Sequence, residues 1–308
     1  MTATTTRPRR PAVDRWAPVV EGWFRLQALV VYVFLFLPIG VVVAFSFNGT
    51  QRYVTDWAGF SLKWYGVAMA DQTVQRALVN SLQIAFVNAI LATTFGTMAA
   101  LGLQRVGKRT RVFFDALTFV SVIIPEIVIA LASLVLFSGF RDWVNPWLAY
   151  LNGAGGSASQ ITLGPWSIIA AHVLFNLSLV LLIVRARLSG MDRTLVDASY
   201  DLFATPWRTF RQITFPQLLP AIVAGFLLSF TFSFDDYVIS SFVNGRTQTL
   251  PLFVFGQIHQ GITPLTNAIA SMMLLVTFTI LVAGQAILAR QARASGDRGS
   301  TPLGLLEA

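Results

Sequence analysis

The sequence predicts an all-α integral membrane protein of six transmembrane helices, with both termini on the cytoplasmic side. Three observations carry this: scarce charge, six long apolar runs, and positive residues gathered in alternate loops. Of 308 residues, 55% are hydrophobic and only 12% charged, where a soluble chain has about 45–50% and about 25%. So little polar surface cannot cover a water-soluble body of this size. The same figures exclude intrinsic disorder, which needs few apolar residues and high net charge.

A helix crosses a hydrocarbon core of roughly 30 Å with about 20 apolar residues. Six stretches meet that length, over 26–47, 77–103, 113–137, 167–184, 218–242 and 267–288. They divide the chain into an N-terminal tail over 1–25, a six-helix membrane domain over 26–288, and a C-terminal tail over 289–308. The remaining segments are too short for a separate soluble domain. The first run, LQALVVYVFLFLPIGVVVAFSF, exceeds the apolar core of a cleavable signal and continues through Pro38, so it reads as a retained helix. The leader before it is polar and Pro-rich and reads as disordered.

Net charge is +8, a balance that alone would also fit a nucleic-acid binder. Its distribution decides otherwise. Segments 1–25, 105–112, 185–217 and 289–308 hold 17 of the 22 Lys and Arg residues, and the alternate loops hold five. Positive residues stay on the cytoplasmic side of a membrane protein, so these four segments, and both termini, are placed there. No zinc-finger, RRM or helix-turn-helix pattern accompanies the charge. Cysteine is absent, which removes thiolate metal sites and cysteine nucleophiles. The two histidines, His172 and His259, stand far apart with no HExxH pattern. No metal site and no cofactor are expected in the chain.

The first outer loop is rich in Trp and Tyr, which favour the membrane interface. The third outer loop, VNGRTQTLPLFVFGQIHQGITPLT, has an apolar middle that suits either a partner protein or simple interfacial packing. The inner loop over 185–217 is unusually long. Asp192 or Thr194 is placed to cap a helix through 196–202, and Thr205 a second, with Pro206 at its first position. That second helix is expected to run to about Ile213 and to alternate aromatic and basic side chains: Trp207, Arg208, Phe210, Arg211. Such a helix suits a groove on another protein; it would serve equally as an anchor among lipid headgroups.

Here the residues resemble a known family. Permease subunits of bacterial ABC importers carry a loop of the form E-A-A-x3-G-x9-I-x-L-P. This chain has Asp197, Ala198 and Ser199, then Asp201, then Phe203 at the glycine position, and Ile213 to Pro216 at the end, without a gap. The departures are Asp for Glu, Ser for Ala, and Phe for both Gly and Leu. Phe203 either upsets the tight turn usual there or fills a groove on the ATPase. The later series LLSFTFSFDDYVISSFVNG, TLPLFVFGQI and TPLTNA is similar to the second permease subunit of spermidine/putrescine importers, as are Asn80-Ser81 and Ile124-Pro125-Glu126. The resemblance covers nearly the whole chain. It implies a type I importer fold in a bacterial inner membrane and a polyamine solute. It also implies a second permease, an extracytoplasmic solute-binding protein, and an ATPase dimer holding ATP and Mg. The segment 185–217 would be the coupling loop. Opine and phosphonate permeases share much of the pattern.

Besides Asp115 at the mouth of the third span, three acids fall inside predicted spans: Glu126, Asp235 and Asp236. A charge in mid-bilayer costs about 2.5–3.5 kcal/mol on insertion scales, so such residues face a bundle interior or a wet cavity. A cationic solute would need them. Ser229, Ser233, Asp236 and Ser240 recur at helical spacing and share one face of a continuous helix. That places Asp236 on the pathway and leaves Asp235 to a backbone donor or partner helix; the alternative makes both helix-end residues near the outer interface. Glu126, after Pro125, is either a solute site at a kink or a helix–helix bond. Phe234 and Tyr237 are placed to stack on an amine chain or simply to pack. His172 and Asn176 are expected to join helices, and Asp115 to pair with Arg111. Competing functions are an ion-driven secondary transporter, which lacks the expected internal repeat; a channel, which leaves the long loop unexplained; and an intramembrane enzyme, for which no G-x-S-x-G or G-x-G-D pattern exists. No G-x-x-x-x-G-K-[ST] sequence is present, so ATP hydrolysis belongs to another chain.

Overall fold

The computed structural model describes residues 17–50, 56–152 and 160–294. The leader and most of the C-terminal tail lie outside them. The described residues form helices α1 (Ala17–Ser46), α2 (Lys63–Ala70), α3 (Gln72–Gly102), α4 (Lys108–Ile123), α5 (Glu126–Asn152) and α6 (Pro165–Ser189). They continue with α7 (Thr194–Asp201), α8 (Pro206–Thr209), a π turn (Phe210–Thr214), α9 (Phe215–Phe234), α10 (Val238–Val243), α11 (Leu250–Gln260) and α12 (Pro264–Ala294). Six segments are long and apolar enough to span: Val20–Ser46, Gln72–Gly102, Glu126–Tyr150, Pro165–Ser189, Pro206–Phe234 and Pro264–Arg290.

The centre of the bundle is α3, α6 and α9. Small residues allow the close approach: Ala85, Ala89, Ala92 and Ala100 on α3 are all buried. Val180 of α6 is wedged between Gly96 of α3 and Gly225 of α9. Helices in lipid associate through van der Waals packing, because lipid tails are as apolar as leucine. By contrast α1 is exposed along most of its length and touches α12, the position of a lipid-facing helix.

Two expected spans are interrupted. The sequence predicts the third as a continuous helix kinked at Pro125. Instead α4 ends at Ile123, Ile124 turns extended (ψ 135°), and α5 starts afresh at Glu126. Proline drives its predecessor out of helical geometry, so the kink becomes a full break. The fifth span, expected to be one helix over 218–242, stops at Phe234; a three-residue joint precedes α10. At its other end this span is longer than expected. The short loop helix does not end near Ile213, for α8 runs through the π turn into α9. Pro216 has no N–H for the Gln212 carbonyl and its ring crowds that carbonyl. The helix widens just before it, and the Phe215 N–H donates to the Phe210 carbonyl five residues back.

The apolar loop between α10 and α12 packs on its own chain. Asn80 donates to the Gln248 carbonyl (3.0 Å), and Ser81 Oγ accepts from the Leu250 N–H (2.8 Å), which starts α11. Leu250 and Phe253 join the core formed by α3, α9 and α12. Asp115 binds Arg185 of α6 with both carboxylate oxygens, rather than the expected Arg111. The Arg185 partner is 70 residues away and could not be read from local spacing.

Candidate functional site

The site is built where α9 breaks. The Asp235 N–H still donates to the Thr231 carbonyl (3.2 Å), closing α9. Asp236 then starts α10: its Oδ1 accepts from the Ile239 N–H (3.3 Å) and its Oδ2 from the Ser240 N–H (2.8 Å). These are free N–H groups of a helix beginning, the usual task of a capping carboxylate. The other face of Asp236 meets α6. His172 Nε2–H donates to Asp236 Oδ2 (2.9 Å) and lies 3.3 Å from Ser240 Oγ. Its Nδ1 lies 2.7 Å from Ser233 Oγ, a hydrogen bond whose direction follows the ring tautomer. His172 and Asp236 side chains are only 2% and 4% exposed.

The backbone donors expected at Asp235 go to Asp236 instead. Asp236 is sealed inside the protein, while Asp235 is exposed. Ser229, Ser233, Asp236 and Ser240 are all buried, but they lie on two helices and the joint between them, and the last three meet His172 of α6. Phe234 also turns inward: it is fully buried and stacks on Phe230 with centroids 5.8 Å apart. It packs the core and does not face a solute. Tyr237, half-buried, packs at a tilt on Phe255 with centroids 4.1 Å apart, and Phe255 meets His259 edge-on at 4.7 Å. Glu126, half-buried at the first turn of α5, lies beside Asp236 and within Coulombic reach of Asp235. Three carboxyls and an aromatic wall thus meet where two helices break.

His172 does join helices, as read from sequence. Asn176 Oδ1 is buried without a partner, as are Asn88 Oδ1 and Ser229 Oγ. Asn88 Nδ2 donates to the Ser229 carbonyl (3.1 Å). No group of His, Asp and Glu among the described residues could hold a metal ion.

At the opposite, basic end lies the long loop. Asp192 accepts from the Thr194 N–H (2.9 Å) and starts α7. That bond holds its carboxyl below the ordinary aspartate range. Thr205 caps α8, with Pro206 at the first position, as its sequence predicts. Ser199 is buried at the second Ala position of the motif and hydrogen-bonds Thr209 Oγ1 (2.9 Å), tying α7 to α8. Phe203 keeps the turn that glycine would make, at φ +56°. It is 95% exposed, with Leu202 at 82% and Trp207 at 70%. Asp197, Ala198, Asp201, Arg208 and Arg211 are exposed around it, Ile213 is half-buried, and Pro216 is exposed at the start of α9. Behind the loop a cavity of about 720 Å³ is lined by Met98, Arg105, Met191, Asp197, Tyr200 and Phe210, among others. Its lining combines the ends of α3 and α6 with the loop, and none of Glu126, Asp235 and Asp236 takes part.

A membrane bundle with broken spans, acids at the breaks and an apolar-tipped basic loop defines a multi-span transport component. Residues 92–294 match the family described as binding-protein-dependent transport system inner membrane component, and the chain belongs to that family. It is 37% identical over 259 residues to the spermidine/putrescine transport system permease protein PotC of Haemophilus influenzae, covering 84% of this chain and 93% of that one. It is 36% identical over 260 residues to the putrescine transport system permease protein PotI of Escherichia coli, covering 83% and 88%. Among solved structures it resembles a chain of a bacterial ABC transporter that imports the acidic polysaccharide alginate (TM-score 0.68, 13% identity, 89% and 98% covered). A second is the methionine ABC transporter MetNI in an inward-facing conformation (TM-score 0.53, 17% identity, 70% and 95% covered). These two establish the fold. The chain is a six-span permease of the bacterial inner membrane.

Proposed function

We propose that this permease carries polyamines such as putrescine and spermidine into the cytoplasm. It works as one of two permease subunits fed by an extracytoplasmic binding protein. ATP is hydrolysed, with Mg, on a separate ATPase pair that grips the 185–217 loop. This reading places that loop and both termini in the cytoplasm, in accord with the 17 basic residues of the alternate segments. The observation that carries the solute class is Asp235. It is an exposed residue at a helix break, with Glu126 within Coulombic reach and Tyr237 two positions on. Flexible di- to tetracations need such counter-charges, and aromatic faces add cation–π attraction of about 0.5–2 kcal/mol.

Uptake of labelled putrescine into vesicles of the assembled complex tests this. Spermidine is expected to compete, and an uncharged diol of the same chain length is expected not to. Asp235→Asn is expected to lower uptake at least tenfold with normal assembly. Competition by the diol, or uptake of an anionic phosphonate in place of the amine, would overturn the polyamine reading.

A further inference from the structure

The two spans joined by the long loop, α6 and α9, are bound to each other at three levels. At the basic end Arg187 Nε–H donates to the Gln217 carbonyl (3.0 Å). In the middle Val180 fills the space at Gly225. At the far end His172 holds both Ser233, in the last turn of α9, and Asp236, which starts α10. One imidazole therefore spans the α9–α10 joint from the side. Both ring nitrogens are used, and the ring is 2% exposed.

From this geometry we propose that His172 is a positioning residue for transport. It clamps Asp236 as the cap of α10, fixes the joint, and so turns Asp235 outward. The clamp ties that carboxylate to the helix pair moved by the loop.

Three physical points support this. First, a joint of three residues between two helices has many backbone solutions. The two Asp236 bonds to Ile239 and Ser240 define where α10 begins, but they do not fix its direction relative to α9. The bonds from α6 to both sides of the joint do. Second, consecutive side chains near a helix terminus point in different directions. Holding Asp236 against α6 leaves Asp235 directed away from it. Third, an unpaired polar group buried in hydrocarbon costs free energy, so the clamp stays closed as α6 and α9 move. Displacement at the loop then reaches Asp235 without slack.

The proposal rests on the chain's role as a permease but not on the identity of the solute, and the test separates the two. The chain has no cysteine, so a single Cys at position 235 reports its exposure without background. In the assembled complex, a cationic thiol reagent is expected to label Asp235→Cys at the same rate with His172 or with His172→Gln, which keeps a donor to Asp236. In the His172→Ala background labelling is expected to fall at least fivefold. With Asp235 in place, His172→Ala is expected to lower solute moved per ATP hydrolysed at least tenfold while ATP hydrolysis persists. His172→Gln should recover most of that ratio. Should His172→Ala not assemble, Ser233→Ala, which frees one side of the ring, is expected to give the same partial uncoupling. Equal labelling in both backgrounds, an unchanged transport ratio in His172→Ala, or a glutamine variant no better than alanine would overturn the clamp. A complex that moves no polyamine sinks the solute assignment, while the labelling rates still decide the clamp.

Discussion

Gly96→Ala is expected to loosen the three-helix centre, and Gly96→Leu to abolish a detergent-stable protein. A Cβ at Gly96 would lie 2.8 Å from both Cβ and Cγ1 of Val180, and 3.1 Å from the Leu177 carbonyl. Val180 is fully buried and has little room to retreat, because its Cγ1 also faces Gly225 of α9, 3.2 Å from where a Cβ on that glycine would stand. Overpacking of this kind costs about 1–3 kcal/mol for a small increment; a leucine would have to push the helices apart. The partner substitution identifies the cause. Val180→Ala removes the atoms in collision, so Gly96→Ala combined with Val180→Ala should unfold at a higher temperature than Gly96→Ala alone. Thermal unfolding of the purified variants in detergent measures this. No recovery in the double variant would place the defect elsewhere. The effect reaches function because α6 and α9 are the spans on either side of the loop, and α3 is the support against which they pack.

The six spans are legible because membrane crossing leaves a continuous signal, a run of apolar residues whose length is set by the bilayer. The family loop is legible because its spacing survives four substitutions. The breaks are harder. Pro125 is visible, but proline allows either a kink or a stop, and only the extended Ile124 settles which. The Asp235–Asp236 joint is hidden by its own pattern: Ser229, Ser233, Asp236 and Ser240 stand at helical intervals whether or not the helix continues. A clue was available. Asp two residues before an apolar Val-Ile and followed by Ser-Ser fits the start of a new helix, and Asp236 does accept from the Ile239 and Ser240 N–H groups. What no local rule could supply is His172, which lies 64 residues from Asp236. Likewise Phe234 could not be assigned to core or pathway until the joint was placed, because turning the chain after it decides which side chains face inward. The π turn before Pro216 follows from proline chemistry once α8 and α9 are seen to be continuous.

Phe203→Gly is expected to leave the permease itself as stable or more so, yet to weaken its complex with the ATPase about tenfold or more. An L-residue in the left-handed region costs roughly 1–2 kcal/mol, and glycine removes that cost while adding roughly 0.5–1 kcal/mol of chain entropy. The isolated permease should therefore gain slightly or break even. The phenyl ring brings nothing to the fold to offset its strain, for it is 95% exposed. Burying such a ring in a partner's groove contributes about 1.5–3 kcal/mol, or roughly 10- to 150-fold in affinity. Leu202 and Trp207 flank it with more exposed apolar surface, and Arg208 and Arg211 supply a basic rim. Phe203→Asp sharpens the test, since aspartate tolerates this backbone but carries a charge into an apolar groove. Co-purification of the ATPase with each variant, beside the thermal stability of the permease alone, gives two readouts of opposite sign. A glycine variant that binds the ATPase as well as the parent would show that the ring faces lipid headgroups instead. The strain at Phe203 would then be without a partner to account for it. A variant that loses both stability and binding would mean that the turn depends on the ring itself. Opposite signs are what docking requires: a residue that strains the permease and strengthens the complex has its use in the contact.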